Sequence, residues 1–437
     1  MDSLLLYLSL PLDYFVEGQE WLQRLDPDQF VRVFWAVLFI EIPRYLFTNL
    51  YVFVLYFRDR LADVPPSELP PDMPLVSVIV PALNEEETIA YTIKSILEQD
   101  YANTEVVVVD DASRDKTAAI CRELAARIPK LKFYSLQERQ GKSAALNFGL
   151  KASRGKFVVF MDSDSTLDRD VISRIISYFK DERVGGVSGN LGVRNWHVNV
   201  LTRLQAMEYL IGITVGRRFK ATADILSIVP GALGAFRRSD LDRVGVLEPG
   251  PGNDSDLTIR IRKLNKQIAF GSDATCLTNV PERWGAWFRQ RMRWDRNIIR
   301  NRVRRHRDVF DVKQANFNLS NFLSFTDTLF FVVILPILWI IYFVDMLLHY
   351  PGEYGFVLFT IFVIHLLMNF IRILIALIVA ERDFFKMDFL VWTPIYGVYR
   401  ILLKLVRITA AVQEFLFRTS YRDPFAPEKV RLQMEVY

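Results

Sequence analysis

Only two cysteines, Cys121 and Cys276, occur in the 437 residues, far apart and in no ligand spacing. That excludes a disulfide framework and a cysteine-based zinc site, and it fits soluble parts in a reducing cytosol. Charge of one sign is also lacking: 54 Lys and Arg against 50 Asp and Glu leave a formal +4. The balance implies no nucleic-acid partner, and the basic residues instead cluster beside apolar segments. There is no internal repeat and no low-complexity tract. The apolar start at 3 to 10, SLLLYLSL, is too short to span a bilayer and lacks the basic start and cleavage site of a secretory signal, so it reads as interfacial. What is abundant is apolar surface, with 51% hydrophobic residues, 33 Phe and 17 Tyr. A membrane class follows.

The run VFWAVLFIEIPRYLFTNLYVFVLYF, 33 to 57, exceeds the ~20 residues a span needs. Glu41 and Arg44 inside it stand at i, i+3, which predicts pairing on one helix face, and Pro43 between them predicts a kink. RDR after Phe57 predicts a cytoplasmic exit. A Pro-rich stretch at 63–74 separates this N-terminal unit, 1–62, from a region of another character. From 75 to 280, β-branched runs (LVSVIVPALN, EVVVVDDAS, KFVVFMDSDS) alternate with helical stretches, predicting a mostly parallel sheet covered by helices. Residues 281–320 read as interfacial helices and 321–417 as a C-terminal helical group, with apolar runs at 329 to 348 and 356 to 380 each long enough to span. At 389 to 417, Arg400, Lys404, Arg407 and Glu414 form one polar stripe, either facing a lumen or marking an interfacial helix. His365, Asn369 and Arg372 at i, i+4, i+7 suit interhelical hydrogen bonds or a sugar path. The tail, 418–437, is polar and reads as extramembrane.

Asp162 and Asp164 end an apolar strand as D-x-D, close enough to share a divalent cation and a diphosphate; alone, such a pair is as well explained as a solvated turn. Two further acidic strand ends stand nearby, and ligands of open α/β sheets sit at carboxyl ends of strands. In the first, Asn84 and Glu85 follow Pro81; in the second stand Asp110 and Asp111. Polar side chains there suit a base or ribose, while Glu85 to Glu87 equally suit the first turn of the next helix. Gly141 and Lys142 precede a helix without Walker A spacing, placing a cation for a diphosphate.

Together these residues resemble family 2 glycosyltransferases of the GT-A fold over about residues 75 to 300. The resemblance implies uridine binding at Pro81, Asn84, Glu85, Asp110 and Asp111, diphosphate binding at Lys142 and Asp162, and a Mg2+ or Mn2+ ion on Asp162 and Asp164. VPGALGAF looks like the family's acceptor loop and implicates Gly231 and Gly234, though paired glycines also serve turns. In GNDSDLT, Asp254 matches the catalytic base, while Asn253 stands where the family commonly has Glu; either residue also suits a helix cap.

Gln290, Arg293 and Trp294 form Q-x-x-R-W, typical of membrane-integrated members that make β-linked polymers such as hyaluronan, chitin, cellulose and poly-N-acetylglucosamine. An indole offers a platform for a sugar ring and a guanidinium a donor fork for phosphate. At i, i+3, i+4 the three share a helix face, and Arg289, Arg291 and Arg296 are expected to point to lipid phosphates or solvent. RNRVRRHRDVF, 300 to 310, is expected to face headgroups, and Arg291→Ala to leave elongation intact. The fold class implied is a cytosolic α/β GT-A domain with α-helical transmembrane segments, in a bacterial inner membrane. The function implied is inverting extension and translocation of a β-linked polysaccharide from UDP-Glc or UDP-GlcNAc, with a growing glycan or lipid as acceptor and room for a homo-oligomer or export partner. Single transfer to a lipid, as in ceramide glucosyltransferase, and a silent scaffold are the competing readings; the intact acidic residues speak against the last.

Overall fold

Runs of valine and isoleucine build the centre of one eight-stranded sheet. β1 (Val76–Ala82) and β2 (Thr104–Asp110) are buried at every residue, as parallel strands covered on both faces must be. With β3 (Leu131–Ser135), β4 (Phe157–Phe160), β5 (Thr166–Leu167), β6 (Val184–Val193), β7 (Gly234–Arg237) and β8 (Gln267–Thr278) the order is β3-β2-β1-β4-β7-β6-β8-β5. The β3-β2-β1-β4 half is wholly parallel. The other half is mixed: β7 runs antiparallel to β4 and β6, and β5 to β8. With β6 parallel to β8, four of the seven pairings are parallel, as expected, and the antiparallel ones are confined to the second half.

The computed structural model describes residues 16–61, 69–70, 72–250, 252–314, 317–381, 387–423 and 426–434. The segment expected to be interfacial at 3 to 10, and most of the Pro-rich stretch, lie outside the described residues.

From β1 the chain first builds outward to β2 and β3, then crosses back to β4 on the other side. A crevice opens where such a strand order reverses. Pro81 contributes to its opening. The β1–β4 ladder reaches a bond from Met161 N to Ile79 O at 3.1 Å, and the next in register would need the N–H that Pro81 lacks.

The N-terminal helical run extends from Pro27 to Leu61 through a π turn at Val37–Glu41. That turn ends two residues before Pro43, whose ring and missing N–H disturb the preceding turn. The expected Glu41–Arg44 pair does not form. Glu41, 2% exposed, accepts from Trp339 Nε1 at 3.0 Å, His365 Nε2 at 2.8 Å and Lys404 Nζ at 3.1 Å, while Arg44 stacks 3.2 Å over Phe331. A carboxylate withdrawn from water needs more donors than one neighbour on its own helix can offer.

Leu319–His349 and Tyr354–Val379 are the two helices among the described residues long and apolar enough to cross a membrane. The helix Thr393–Phe417 carries its polar stripe inward to both of its neighbours. Arg400 binds Asn369 Oδ1 at 2.6 Å, Arg407 approaches Asp295 at 3.4 Å, and Glu414 accepts from Arg304 at 2.6 Å. No lumen or lipid phosphate is needed to explain that stripe. His365 and Asn369 act between helices, and Arg372 lies 4.3 Å over the Tyr45 ring. The polar tail is not free of the sheet domain: Lys429 pairs with Glu138, and Met434 is buried.

Candidate active site

The loops after β1 and β2 are tied to each other. Asn84 takes a left-handed φ of 55°, a conformation its short amide tolerates. Its N–H donates to Ser113 Oγ at 2.9 Å and its Oδ1 accepts from Arg114 N at 2.9 Å. Glu85 N donates to Thr117 Oγ1 at 2.7 Å, and its carboxylate accepts from Thr88 Oγ1 at 2.7 Å. Asp110 accepts from Ser113 N at 3.3 Å and Ser135 Oγ at 2.9 Å. Asp111 accepts two backbone N–H groups, Gln140 at 2.6 Å and Gly141 at 2.8 Å. Both aspartates are buried and serve the protein's own loops; Asp111 in particular fixes the turn that presents Lys142. Pro81 is likewise a buried strand residue.

The D-x-D loop after β4 is anchored from the helix Ile89–Leu97: Thr88 and Thr92, one turn apart, donate to Ser163 O at 3.1 and 2.8 Å. Asp162 pairs with Lys142. Among the described residues the Asp164 side chain accepts only from hydroxyls, Ser165 at 3.0 Å and Thr278 at 3.4 Å. Burial and the neighbouring Asp162 push the Asp164 carboxyl above its ordinary value. Burial likewise raises Glu85, with Asp164 and Asp162 adding to it. Carboxylates crowded without enough cations make a crevice that favours a divalent ion. Among the described residues no three His, Cys, Asp or Glu gather as a metal group, so an ion here would take the Asp162 and Asp164 carboxylates and complete its shell from substrate and water.

Burial lowers the Lys142 ammonium, but Asp162 and then Asp254 outweigh it and hold its pKa up. Gly231 lies against this cation: a Cβ there would stand 2.6 Å from Lys142 Nζ, so a side chain would displace it. Gly231 N also donates to Asp254 Oδ2 at 3.4 Å. Asp254 lies in the first turn of the helix Asn253–Lys263, whose cap is Gly252 at φ 85°. Neither Asn253 nor Asp254 is therefore the cap residue. Asn253 instead accepts from Asp254 N at 2.9 Å and donates to Ser143 Oγ at 3.2 Å. Gly234 does not join this group; it is a buried β7 residue paired with Phe160 and Ser188.

The helix Trp284–Ile299 brings the last members. Burial lowers the Arg293 guanidinium, and Asp423, Asp254 and Asp162 act on it in the opposite sense, so it lies within electrostatic reach of the crevice carboxylates. Gln290 Oε1 is buried without a hydrogen-bond partner among the described residues, an acceptor left for a ligand donor. Trp294 is 40% exposed. Arg289 is exposed, and Arg296 Nε returns to Met292 O at 3.1 Å. Arg291 contradicts the expectation of a lipid-facing side chain: it is 3% exposed, pairs with Glu208 at 2.8 Å and covers the Trp294 ring at 4.4 Å. The stretch from 300 is corrected in the same way. Arg300, Arg302 and His306 are buried, Arg304 binds Glu414, and Arg305 and His306 each reach Asp256 at 2.9 Å. Asp256 was within reach of sequence reasoning, since it stands in the same NDSDLT segment as Asp254; Glu208 carries no local signal.

A half-parallel sheet with an acidic crevice at its strand reversal, a lysine at its floor and a carboxylate on the facing helix defines a nucleotide-sugar transferase of the GT-A type. Residues 77–245 match the description "Glycosyl transferase family 2", so that stretch of the chain is a family 2 glycosyltransferase domain. It is 28% identical over 365 residues, 80% of this chain and 86% of the other, to a probable glycosyltransferase, YdaM, of Bacillus subtilis (strain 168). It is 33% identical over 265 residues, 58% of this chain and 61% of the other, to an N-acetylglucosaminyltransferase of Rhizobium meliloti (strain 1021). With a poly-beta-1,6-N-acetyl-D-glucosamine synthase of Staphylococcus epidermidis it shares 30% over 221 residues, 50% of this chain and 53% of that one. The match thus spans about half the length of that synthase. Among solved structures, a mannosyltransferase from Pyrobaculum calidifontis in complex with GDP-Man and Mn2+ superposes with a TM-score of 0.57 at 23% identity, covering 85% of this chain and 97% of that one. That likeness shows the fold.

Proposed function

We propose that the chain is an inverting transferase that extends a β-linked polysaccharide from a UDP-sugar at a membrane surface and passes it toward its own helices. One observation carries this reading: Lys142, Asp162, Gly231 and Asp254 meet in one crevice, with Arg293 within electrostatic reach of its carboxylates and Trp294 beside Arg293 on the same helix. Asp254 takes the proton from the acceptor hydroxyl as that oxygen bonds to the anomeric carbon. The bond from the anomeric carbon to the diphosphate breaks from the opposite face, and the leaving oxygen keeps the electron pair. Lys142 and Arg293 receive the charge that develops there. A Mg2+ or Mn2+ ion held by Asp162 and Asp164 would neutralise part of the same charge. Trp294 and Gln290 seat the acceptor sugar, one by stacking and one through its open carbonyl.

The membrane part rests on the two apolar helices, the shorter having 26 residues, about 39 Å at 1.5 Å per residue and so enough for a ~30 Å hydrocarbon core. The relatives named for N-acetylglucosamine favour UDP-GlcNAc over UDP-Glc. The test is a donor panel of UDP-GlcNAc, UDP-Glc and GDP-Man with full-length protein in detergent, reading nucleotide release and product length. UDP-GlcNAc is expected to give UDP and a ladder of oligomers. Preference for GDP-Man would overturn the donor assignment, and one-sugar lipids without longer products would overturn extension.

A further inference from the structure

The helix Trp284–Ile299 has a second functional face. Trp287, Arg291 and Trp294 stand at i, i+4, i+7, so Trp294 belongs both to this row and to the row of Gln290 and Arg293. Arg291 Nη2 donates to Glu208 Oε2 at 2.8 Å, and Tyr399 OH donates to the same oxygen at 2.6 Å. Trp287 Nε1 in turn donates to Tyr399 OH at 2.9 Å. The Arg291 side chain is 4% exposed, and its guanidinium lies 4.4 Å from the centre of the Trp294 ring. A buried ion pair with further donors has one geometry. A cation over an indole holds that ring in turn.

We infer that Arg291, locked by Glu208 and Tyr399, is a positioning residue for Trp294. It covers one face of the indole and leaves the other as the seat for the acceptor sugar. Tyr399 lies on the helix Thr393–Phe417, and the next residue, Arg400, binds Asn369 in the apolar helix Tyr354–Val379 and Tyr45 in the N-terminal helical run. The platform is thereby joined through consecutive residues to the helices that would receive the product. This inference rests on the reading of Trp294 as an acceptor platform, but the geometry of the indole can be followed without turnover.

The test uses full-length protein labelled with 5-fluorotryptophan, the Trp294 resonance being assigned by its loss in Trp294→Phe, alongside UDP release and product length with UDP-GlcNAc. Arg291→Met is expected to shift or broaden the Trp294 resonance and to shorten products by roughly tenfold, with UDP release changed less than about twofold. Arg291→Lys, which keeps the cation, restores part of both, and Arg289→Ala leaves both as in the unaltered protein. Should Arg291→Met fail to fold, Tyr399→Phe, which removes one donor to Glu208, is expected to shift the same resonance. A folded Arg291→Met or Tyr399→Phe protein with an unshifted Trp294 resonance overturns the inference. Absence of any nucleotide release from the unaltered protein would instead count against the proposed reaction, and the resonance would still decide the positioning.

Discussion

The carboxylates at the end of β2 and those after β4 flank the same strand, β1, yet they are used in opposite ways. Asp111 gives one oxygen to each of two backbone N–H groups, and Asp110 is held by Ser113 and Ser135. Asp162 and Asp164 meet one lysine and two hydroxyls and keep acceptor capacity facing the crevice. The helix Asn253–Lys263 repeats the contrast within one turn. Asp256 is 2% exposed and bound by Arg260, Arg305 and His306, while among the described residues the Asp254 carboxylate has a single long hydrogen bond, from Gly231 N. An acidic residue at a strand end or helix start is thus structural when protein donors saturate it. It is available for chemistry when they do not.

The contrast is broken or sharpened most strongly at Asp254. Asp254→Asn is expected to reduce transfer by roughly 10³-fold, the scale of a general base, with UDP binding and thermal midpoint nearly unchanged. Turnover at the original rate would remove the base. Asp256→Asn should do the reverse. It leaves two arginines and a histidine around a neutral amide, at about 3 kcal/mol of stability, read as a clear fall in Tm with UDP binding retained wherever the protein is folded. A stable Asp256→Asn protein that has lost turnover would dissolve the distinction between the two aspartates. Asp111→Asn is smaller, about 1–2 kcal/mol, because one of its two backbone N–H groups loses its acceptor. Its effect on donor KM should follow the loosening of the Lys142 loop, so KM and Tm change together. A raised KM at constant Tm would place Asp111 on the nucleotide instead.

The saturated and open carboxylates could not be told apart in the sequence, although both kinds were visible. β1, β2 and β4 were legible because parallel strands covered on both faces demand unbroken β-branched runs, and the acidic strand ends followed from where those runs stop. Helical spacing also grouped Gln290, Arg293 and Trp294. Spacing says which residues share a face, but not what covers that face. Arg291 was assigned to lipid because its partner Glu208 lies 83 residues away, and Arg304 because Glu414 lies 110 away. Near an apolar segment a basic row suits headgroups, and only the packing of three other helices supplies the carboxylates that turn it inward: Glu208 from Val200–Tyr209, Asp256 from Asn253–Lys263 and Glu414 from Thr393–Phe417. Gly234 shows the opposite error: a glycine near a loop motif proved to be a strand position where a Cβ would stand 2.4 Å from Val229.

The smallest effect expected is a pH dependence carried by the saturated group. Lys263 Nζ stands 3.0 Å from His306 Nδ1, and Asp256 Oδ1 lies 2.9 Å from Nε2. An ammonium can only donate, so the network assigns the neutral ring with its proton on Nε2. Burial pushes the His306 pKa below its ordinary 6.5, against the pull of Asp256. The unfolded chain therefore binds this proton more readily than the folded one, and stability is complete above about pH 6.5 and declines as pH falls through and below it. Asp256, also held below its ordinary value despite burial, adds its own decline only in a more acidic window, below 3.8. His306→Asn, which keeps an acceptor and a donor but cannot titrate, should lower Tm at pH 7.5 yet flatten its fall between pH 7.5 and 5.5. An equal slope in both proteins would show that His306 does not titrate there, and that the Asp256 cluster holds its geometry across that range without it.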